Sequence, residues 1–406
     1  MRRKPKILLL TPAPPYPPTN GGMLRIFSLV EALKDAFDFS LLTFTRTGDE
    51  SKFSETAKLI ALESLFREIH TVPKESITSG RSAAPGLPGF ARDWFSPAMA
   101  SAVKTLSPSY DILHVELLKM AFYVRYSGAP ISFLTEHDLG HLSLFNSYFR
   151  EWTGLGRLLA IPEWARTRAH HREICREYSR IVVLTKFDRD ILAATTPAEK
   201  LILVKTGTNL ARFPFRAPQK EHQAAPLIYV GHYAHFPNED AALWFCRSIF
   251  PLILAGSPGA RLTLAGSQPT PAIEKLAIPG GAVSVTGEVP DINEHLAASG
   301  IFVAPVRLGL GVKGKVLEAF SAGVPVVATS AVARGIPEAK GRTHLLVADS
   351  PRSFAGAVAR LRADFQLYSG LAHAARNLAE KHYSWPDLAG DLARAYDNAV
   401  TGAKTA

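Results

Sequence analysis

Cysteine is scarce in this chain: among 406 residues only Cys175 and Cys246 occur, far apart in sequence. That excludes a disulfide framework and any closely spaced thiol metal site, and it fits a reducing compartment. Long hydrophobic runs are missing too. No window approaches the ~20 apolar residues that a bilayer-spanning helix needs. The opening "MRRKPKILLLTPAPPYPP" starts basic, but its apolar run is only "ILLL" before prolines begin. This is too short for a secretory signal and reads as a buried strand. A soluble, cytoplasmic protein is expected. Zinc-finger spacing, an aromatic-rich RNA motif and a long basic tail are all lacking, so nucleic acid is not an expected partner. The net charge of +10 instead favours phosphates or acidic lipid surfaces.

What is present is a large apolar fraction, 47% of residues, enough for a sizeable core. At roughly 150 residues per domain, the length suggests two or three domains. "KILLLT" (6–11) is followed by the loop "PAPPYPPTNGG", a helical pattern "MLRIFSLVEALKDA" and the strand-like "DFSLLTFT". A strand–loop–helix–strand order begins a parallel doubly wound sheet. "YDILHVE", "ISFLTEH" and "RIVVLT" continue it, each ending in polar residues as strands do at a ligand crevice. After the proline-bearing stretch "RAPQKEHQAAP" (216–226), read as a linker, the order repeats with "LIYVG", "ARLTLAGS", "AVSVTGEV", "SGIFVAPV", "VPVVAT" and "HLLVAD". The fold class expected is α/β, with two doubly wound halves. Residues 147–179 are arginine-rich, hold Trp152 and Trp164, and read as an amphipathic helix with a break near Pro162. That segment is either a packed helix with a solvated charged face or a basic surface for anionic lipid at the inner membrane face.

The stretch "GLGVKGKVLEAFSAGVPVVAT" (309–329) concentrates glycine and lysine at the start of a short helix. Glycines admit backbone N–H groups close to a ligand, and a helix N-terminus adds unpaired donors and partial positive charge. Lys313 and Lys315 add full charges beside this anion site. Lys315 and Glu318, three apart, share a helix face. Glu318 sits among apolar neighbours and needs donors such as sugar hydroxyls. Gly323 is a natural C-cap, with Pro325 just beyond. Neither the Walker A pattern nor GxGxxG is matched.

This stretch resembles the nucleotide-sugar signature of family 4 glycosyltransferases, retaining enzymes of the GT-B fold, in their bacterial polysaccharide branch. "YVGHYAHFPNEDAALWF" (229–245), "VTGEVPDINEHLAASGIFVAPV" (285–306) and "PPYPPTNGGMLR" (14–25) are similar to further family segments. The resemblance implies two Rossmann-like domains facing a central cleft. Residues 1–215 would form the acceptor-side domain, 216–384 the nucleotide-sugar domain, and 385–406 a helix crossing back to the first. It implies a nucleotide diphosphate sugar donor, UDP- or GDP-linked, and no cofactor or metal. The acceptor would be a glycan, a lipid-linked or a small-molecule hydroxyl in cell-envelope or exopolysaccharide synthesis.

Glu318 matches the second glutamate of the family's E-x7-E motif, which accepts hydrogen bonds from the donor ribose. The first falls at Leu310, a departure that leaves backbone donors around Gly309, Leu310, Gly311, Val312 and Lys313 to hold the donor sugar. Gly21 and Gly22 match the first-loop glycines. Gly231 and His232 match the turn beneath the phosphates, and Val289 the position holding the base. His137 matches a histidine that reaches the donor sugar, with Glu116 a candidate on the acceptor side. Arg307, Lys313 and Lys315 are candidates to neutralise the leaving diphosphate. "DRD" (188–190) resembles a metal-binding DxD but lies in a helical pattern far from the phosphate loop, so metal use is not expected of it. A sugar-nucleotide epimerase of the same architecture and a non-catalytic binder of anionic ligands are the other readings.

Overall fold

A computed structural model describes residues 3–18, 20–45, 60–74, 84, 86–137, 139, 156–277, 280–308 and 314–405. Gly309, Leu310, Gly311, Val312 and Lys313 lie outside the described residues, as do residues 147–155. The chain divides into two units, Met1–Lys205 with Pro386–Ala406, and Thr206–Trp385.

The first unit is built on seven strands: β1 (Lys6–Thr11), β2 (Asp38–Phe44), β3 (Glu68–Val72), β4 (Ile112–Glu116), β5 (Ile131–Glu136), β6 (Arg180–Val183) and β7 (Leu201–Leu203). They run parallel in the order β3-β2-β1-β4-β5-β6-β7. A parallel sheet covered on both faces needs continuous apolar strands. "KILLLT" satisfies this, with every residue after Lys6 buried. The topology reverses between β1 and β4, so the ligand crevice of this unit lies beyond Thr11 and Glu116.

The second unit repeats the scheme with β8 (Leu227–Val230), β9 (Leu262–Ala265), β10 (Val283–Gly287), β11 (Ile301–Ala304), β12 (Val326–Ala328) and β13 (Leu346–Val347). Their order is β10-β9-β8-β11-β12-β13, again parallel. Its reversal point lies between β8 and β11. The helix Phe236–Trp244 continues through a π-turn at Phe245–Ile249 into Phe250–Gly256. Pro251 lacks an amide proton, and the wider turn just before it accommodates the lost hydrogen bond.

Two expectations are modified, and the terminal helix is located. The boundary falls at Lys205, ahead of the expected 215. Phe213 is buried in the second core, the Thr208 N–H donates to the Tyr383 carbonyl at 2.8 Å, and Arg216 donates to the Ser299 carbonyl at 2.5 Å. Residues 206–216 are therefore part of the second unit. The helix Gly156–Glu177 runs unbroken through Pro162, which sits near its start, where one missing amide bond does not end the helix. Finally, the helix Trp385–Thr405 belongs, from Pro386 onward, to the first unit. Its Tyr396 ring packs edge-on at 5.3 Å from Phe37 and 5.0 Å from Phe133.

Candidate active site

In the first unit the predicted residues converge at the reversal point. Asn20 caps the helix Gly21–Leu33, its side chain accepting from the Met23 N–H at 3.0 Å. His137 follows the last residue of β5 and bonds through Nε2 to Glu116 Oε2 at 2.6 Å. Gly22 lies against the same imidazole. A Cβ there would stand 2.9 Å from His137 Nδ1, while one at Gly21 would meet nothing. Gly22 is thus a packing requirement of the histidine, whereas Gly21 is not. Burial pushes the Glu116 carboxyl up, but the hydrogen bond from His137 and the positive groups around it, Arg25 among them, hold it below the usual carboxylate range.

Behind Glu116 lie polar residues that the sequence analysis did not single out. His114 Nε2 is 2.6 Å from Thr135 Oγ1 and 3.7 Å from Glu116 Oε1. Its Nδ1 is hydrogen-bonded to the Tyr396 hydroxyl. Burial depresses the His114 pKa to about 4, so it is neutral near pH 7. Arg25 is 1% exposed and donates from Nη2 to the Val204 carbonyl at 2.9 Å. The available signal was a polar residue breaking each apolar pattern, histidine in "ILHVE" and arginine in "MLRIFSLV".

In the second unit, β8 runs into Gly231, whose N–H donates to the Ala265 carbonyl at 3.0 Å. Gly266, at φ +135°, packs so closely that a Cβ would fall 1.8 Å from the Gly231 oxygen. His232 is exposed, with Nδ1 2.9 Å from Ser267 Oγ, and its carbonyl accepts from Asn238 at 3.0 Å. Val289 is partly buried two residues beyond β10.

The helix Gly314–Ala322 follows β11 across the residues not described. Lys315 Nζ donates to both Glu318 oxygens, at 2.9 and 3.1 Å. The lysine side chain is 48% exposed and the glutamate 6%, so the pair joins solvent to the core edge. Gly323 ends this helix at φ +77°, where a Cβ would clash with the Phe215 ring at 2.7 Å. Only glycine fits that cap. Arg307 does not stand alone. It bonds Asp240 at 2.7 and 3.2 Å and lies 4.7 Å from the Trp244 ring centroid. To meet a diphosphate it would have to leave that bidentate partner.

Two groups bear on metals. In "DRD", the Asp188 carboxylate accepts from the Thr185 hydroxyl at 2.6 Å and the Asp188 N–H donates to that oxygen at 3.0 Å. Asp188 is therefore spent on a helix cap. Glu136, His171 and Cys175 bring ligand atoms within 4.8 Å of one another. His171 Nε2 lies 2.5 Å from Glu136 Oε1. Two ligands of one tetrahedral zinc, each at about 2.0–2.1 Å, stand roughly 3.3 Å apart. As placed, this group is a hydrogen-bonded ion pair.

With this geometry in view, the comparisons with known proteins are informative. Residues 225–364 match the family model described as Glycosyl transferases group 1. This span covers the strands and the helix that carry Gly231, His232, Val289 and Glu318. A protein described as an uncharacterized 44.6 kDa protein in the cps region of Klebsiella pneumoniae is 26% identical over 149 residues, covering 35% of this chain and 38% of that protein. The match thus spans well under half of the relative's length.

Among solved structures, HepE of Anabaena in complex with UDP and glucose matches with a TM-score of 0.67 at 14% identity, covering 97% of this chain and all of that one. Sucrose-phosphate synthase of Thermosynechococcus elongatus matches at 0.68 and 16%, over 98% and 100%. WaaG, a glycosyltransferase of lipopolysaccharide biosynthesis, matches at 0.64 and 18%, over 95% and 99%. The fold is GT-B.

Proposed function

We propose that the protein is a retaining glycosyltransferase that moves a sugar from a nucleotide diphosphate sugar, UDP-linked in the first instance, to an acceptor hydroxyl. The observation that carries this reading is the family match over residues 225–364, which falls on the unit whose helix Gly314–Ala322 carries the buried Glu318. UDP in the HepE complex supports the choice of base. The cps region of the Klebsiella relative supports an envelope or capsular glycan acceptor, lipid-linked or free.

In this reading the second unit holds the donor. Glu318 accepts from the ribose hydroxyls, and Lys315 supplies charge that strengthens its hold as the diphosphate departs. Gly231 and His232 line the phosphate turn and Val289 the base. The first unit takes the acceptor side, with His137 and Glu116 meeting sugar hydroxyls. Leaving-group stabilisation comes from side chains and backbone, without a metal.

The deciding experiment incubates the protein with UDP-, GDP- and dTDP-sugars and follows nucleotide release. UDP-sugars should be turned over, and turnover should persist in EDTA. No release and no nucleotide binding with any donor would refute the transferase. Loss in EDTA with rescue by Mn²⁺ would refute its metal independence.

A peripheral contact with anionic membrane completes the proposal. The helix Gly156–Glu177 buries Ile174 and Cys175 and exposes Arg166, Arg168, Arg172 and Arg176. Part of that charge is balanced locally, Arg166 by Glu163 at 3.4 Å. Arg168 stacks on the Trp164 ring at 5.6 Å, an arrangement suited to an interface. Co-sedimentation with phosphatidylglycerol vesicles should be lost on replacing Arg168, Arg172 and Arg176 by glutamine. Equal binding to neutral vesicles, or no binding, would remove the membrane from the proposal.

A further inference from the structure

The C-terminal edge of the first sheet carries a second group of charged residues. Lys119 follows β4 by three residues and Lys74 follows β3 by two. Their ammonium groups lie 3.8 and 6.0 Å from the centroid of the same ring, the indole of Trp94. That ring packs 6.2 Å from Phe44, the last residue of β2. The group therefore flanks the crevice beyond Thr11 and Glu116 on its β2 side.

The backbone is held in an unfavourable shape to build it. Leu117 joins Glu116 to the short helix Leu118–Tyr126 at φ +76° and ψ 136°, a region that a bulky side chain rarely enters. Its N–H donates to the Thr135 carbonyl at 2.9 Å, and its carbonyl accepts from the Met120 N–H at 3.0 Å. Leu118 and Met120 are buried on either side of Lys119, so the turn leaves the lysine little choice of direction. Tyr123 of the same helix donates its hydroxyl proton to the Trp94 carbonyl at 2.8 Å and accepts from the Ser96 N–H at 2.8 Å. One helix thus fixes both the ring and the lysine.

An aromatic face attracts a cation, but here two cations share one ring. Among the described residues neither ammonium has a hydrogen-bond or ion-pair partner. Glu116, three residues before Lys119, is engaged by His137 Nε2 at 2.6 Å. Asp93, next to the ring in sequence, is exposed and pairs with neither lysine. Lys119 is half-buried, and burial together with the Lys74 charge lowers its pKa to about 8. An ammonium is strongly hydrated, so stripping part of its water beside a second cation is unfavourable until an anion joins them.

We propose that Lys119 and Lys74, gathered on Trp94, form an oxyanion subsite of the first unit that takes a phosphate or carboxylate carried by the acceptor. The subsite itself follows from the geometry. Its use for an acceptor rests on the glycosyltransferase reading.

The test titrates the full chain calorimetrically with glucose 6-phosphate, glucuronate and glucose at fixed ionic strength. At least one charged sugar should bind about tenfold more tightly than glucose, and the tighter of the two identifies the oxyanion. Lys119→Gln should weaken that binding about tenfold, and Lys119→Arg should largely keep it. Lys74→Gln, at an exposed position, should weaken it about threefold. Lys104→Gln, an exposed lysine elsewhere on the unit, should change nothing. Charged sugars that bind no better than glucose, binding by none of the three, or a preference that survives both Lys119→Gln and Lys74→Gln would overturn the proposal. Should Lys119→Gln fail to fold, Lys74→Gln decides by the same criterion. If the preference is as expected while no sugar nucleotide is turned over, the transferase reading fails and the oxyanion subsite stands.

Discussion

Replacing His171 by alanine should cost the first unit about 3–5 kcal/mol, the usual effect of removing one partner from a buried ion pair. Glu136 and His171 have side chains 1% and 3% exposed and meet at 2.5 Å. Burial pushes the imidazole down, but Glu136 beside it, with Cys175, raises its pKa well above the ordinary 6.5. A histidine with a raised folded pKa contributes stability that is fully present below its unfolded value near 6.5, and loses it as pH climbs through the folded value. The gap between wild type and His171→Ala, measured by urea unfolding, should therefore be widest at about pH 6 and narrow at alkaline pH. Replacing both partners, as Glu136→Met with His171→Leu, should cost much less than the single change, because no charge is stranded. A single-mutant cost under about 1 kcal/mol at pH 6, or one independent of pH, would show that the pair is not ionised.

This pair also shows why some of the molecule could be read in the sequence and some could not. Strands such as β1 and β6 were legible because a parallel sheet covered on both faces demands unbroken apolar runs, and "KILLLT" or "RIVVLT" permits little else; β3 and β7, with the short or polar runs "EIHTV" and "LIL", were not read. Gly323 was legible as a cap because apolar helix, glycine and proline occur in that sequence, and its φ of +77° is the conformation such a cap requires. The segment 206–215 was assigned to the wrong side of the boundary because the polar, proline-bearing stretch 216–226, read as the linker, looks alike whether it spans two units or wraps one. What holds it is Phe213 and a few backbone bonds made with residues more than 80 positions away. The same distance hid the polar network. His114 meets Tyr396 across 282 positions, and Arg25 meets Val204 across 179. Nothing local marks such partners. Glu116, by contrast, ends β4 and His137 directly follows the adjacent strand β5, so their meeting at a crevice was implicit in the topology.

Glu318→Ala should raise the dissociation constant for UDP about 10- to 100-fold, corresponding to roughly 1.5–3 kcal/mol for a hydrogen bond to a charged group. The carboxylate is 5% exposed on a helix whose other residues from Val316 to Ala322 are buried, so water cannot replace it as a ribose acceptor. Lys315 behaves differently. Its ammonium is the partner of Glu318, but it is about half exposed, and an ion pair at that exposure adds only about 0–1 kcal/mol to stability. Lys315→Ala should fold normally and bind UDP nearly as well, yet lose at least about tenfold in turnover. A charge that acts on the departing diphosphate stabilises the transition state more than the bound donor. Calorimetry with UDP and steady-state donor turnover on both variants separate the two roles. Unchanged UDP affinity in folded Glu318→Ala would remove the glutamate from the nucleotide site. Unchanged turnover in Lys315→Ala would make the lysine no more than a surface partner, and the charge on the leaving group would then have to be met elsewhere. Arg307 is the next cation on this unit, at the expense of its bond to Asp240.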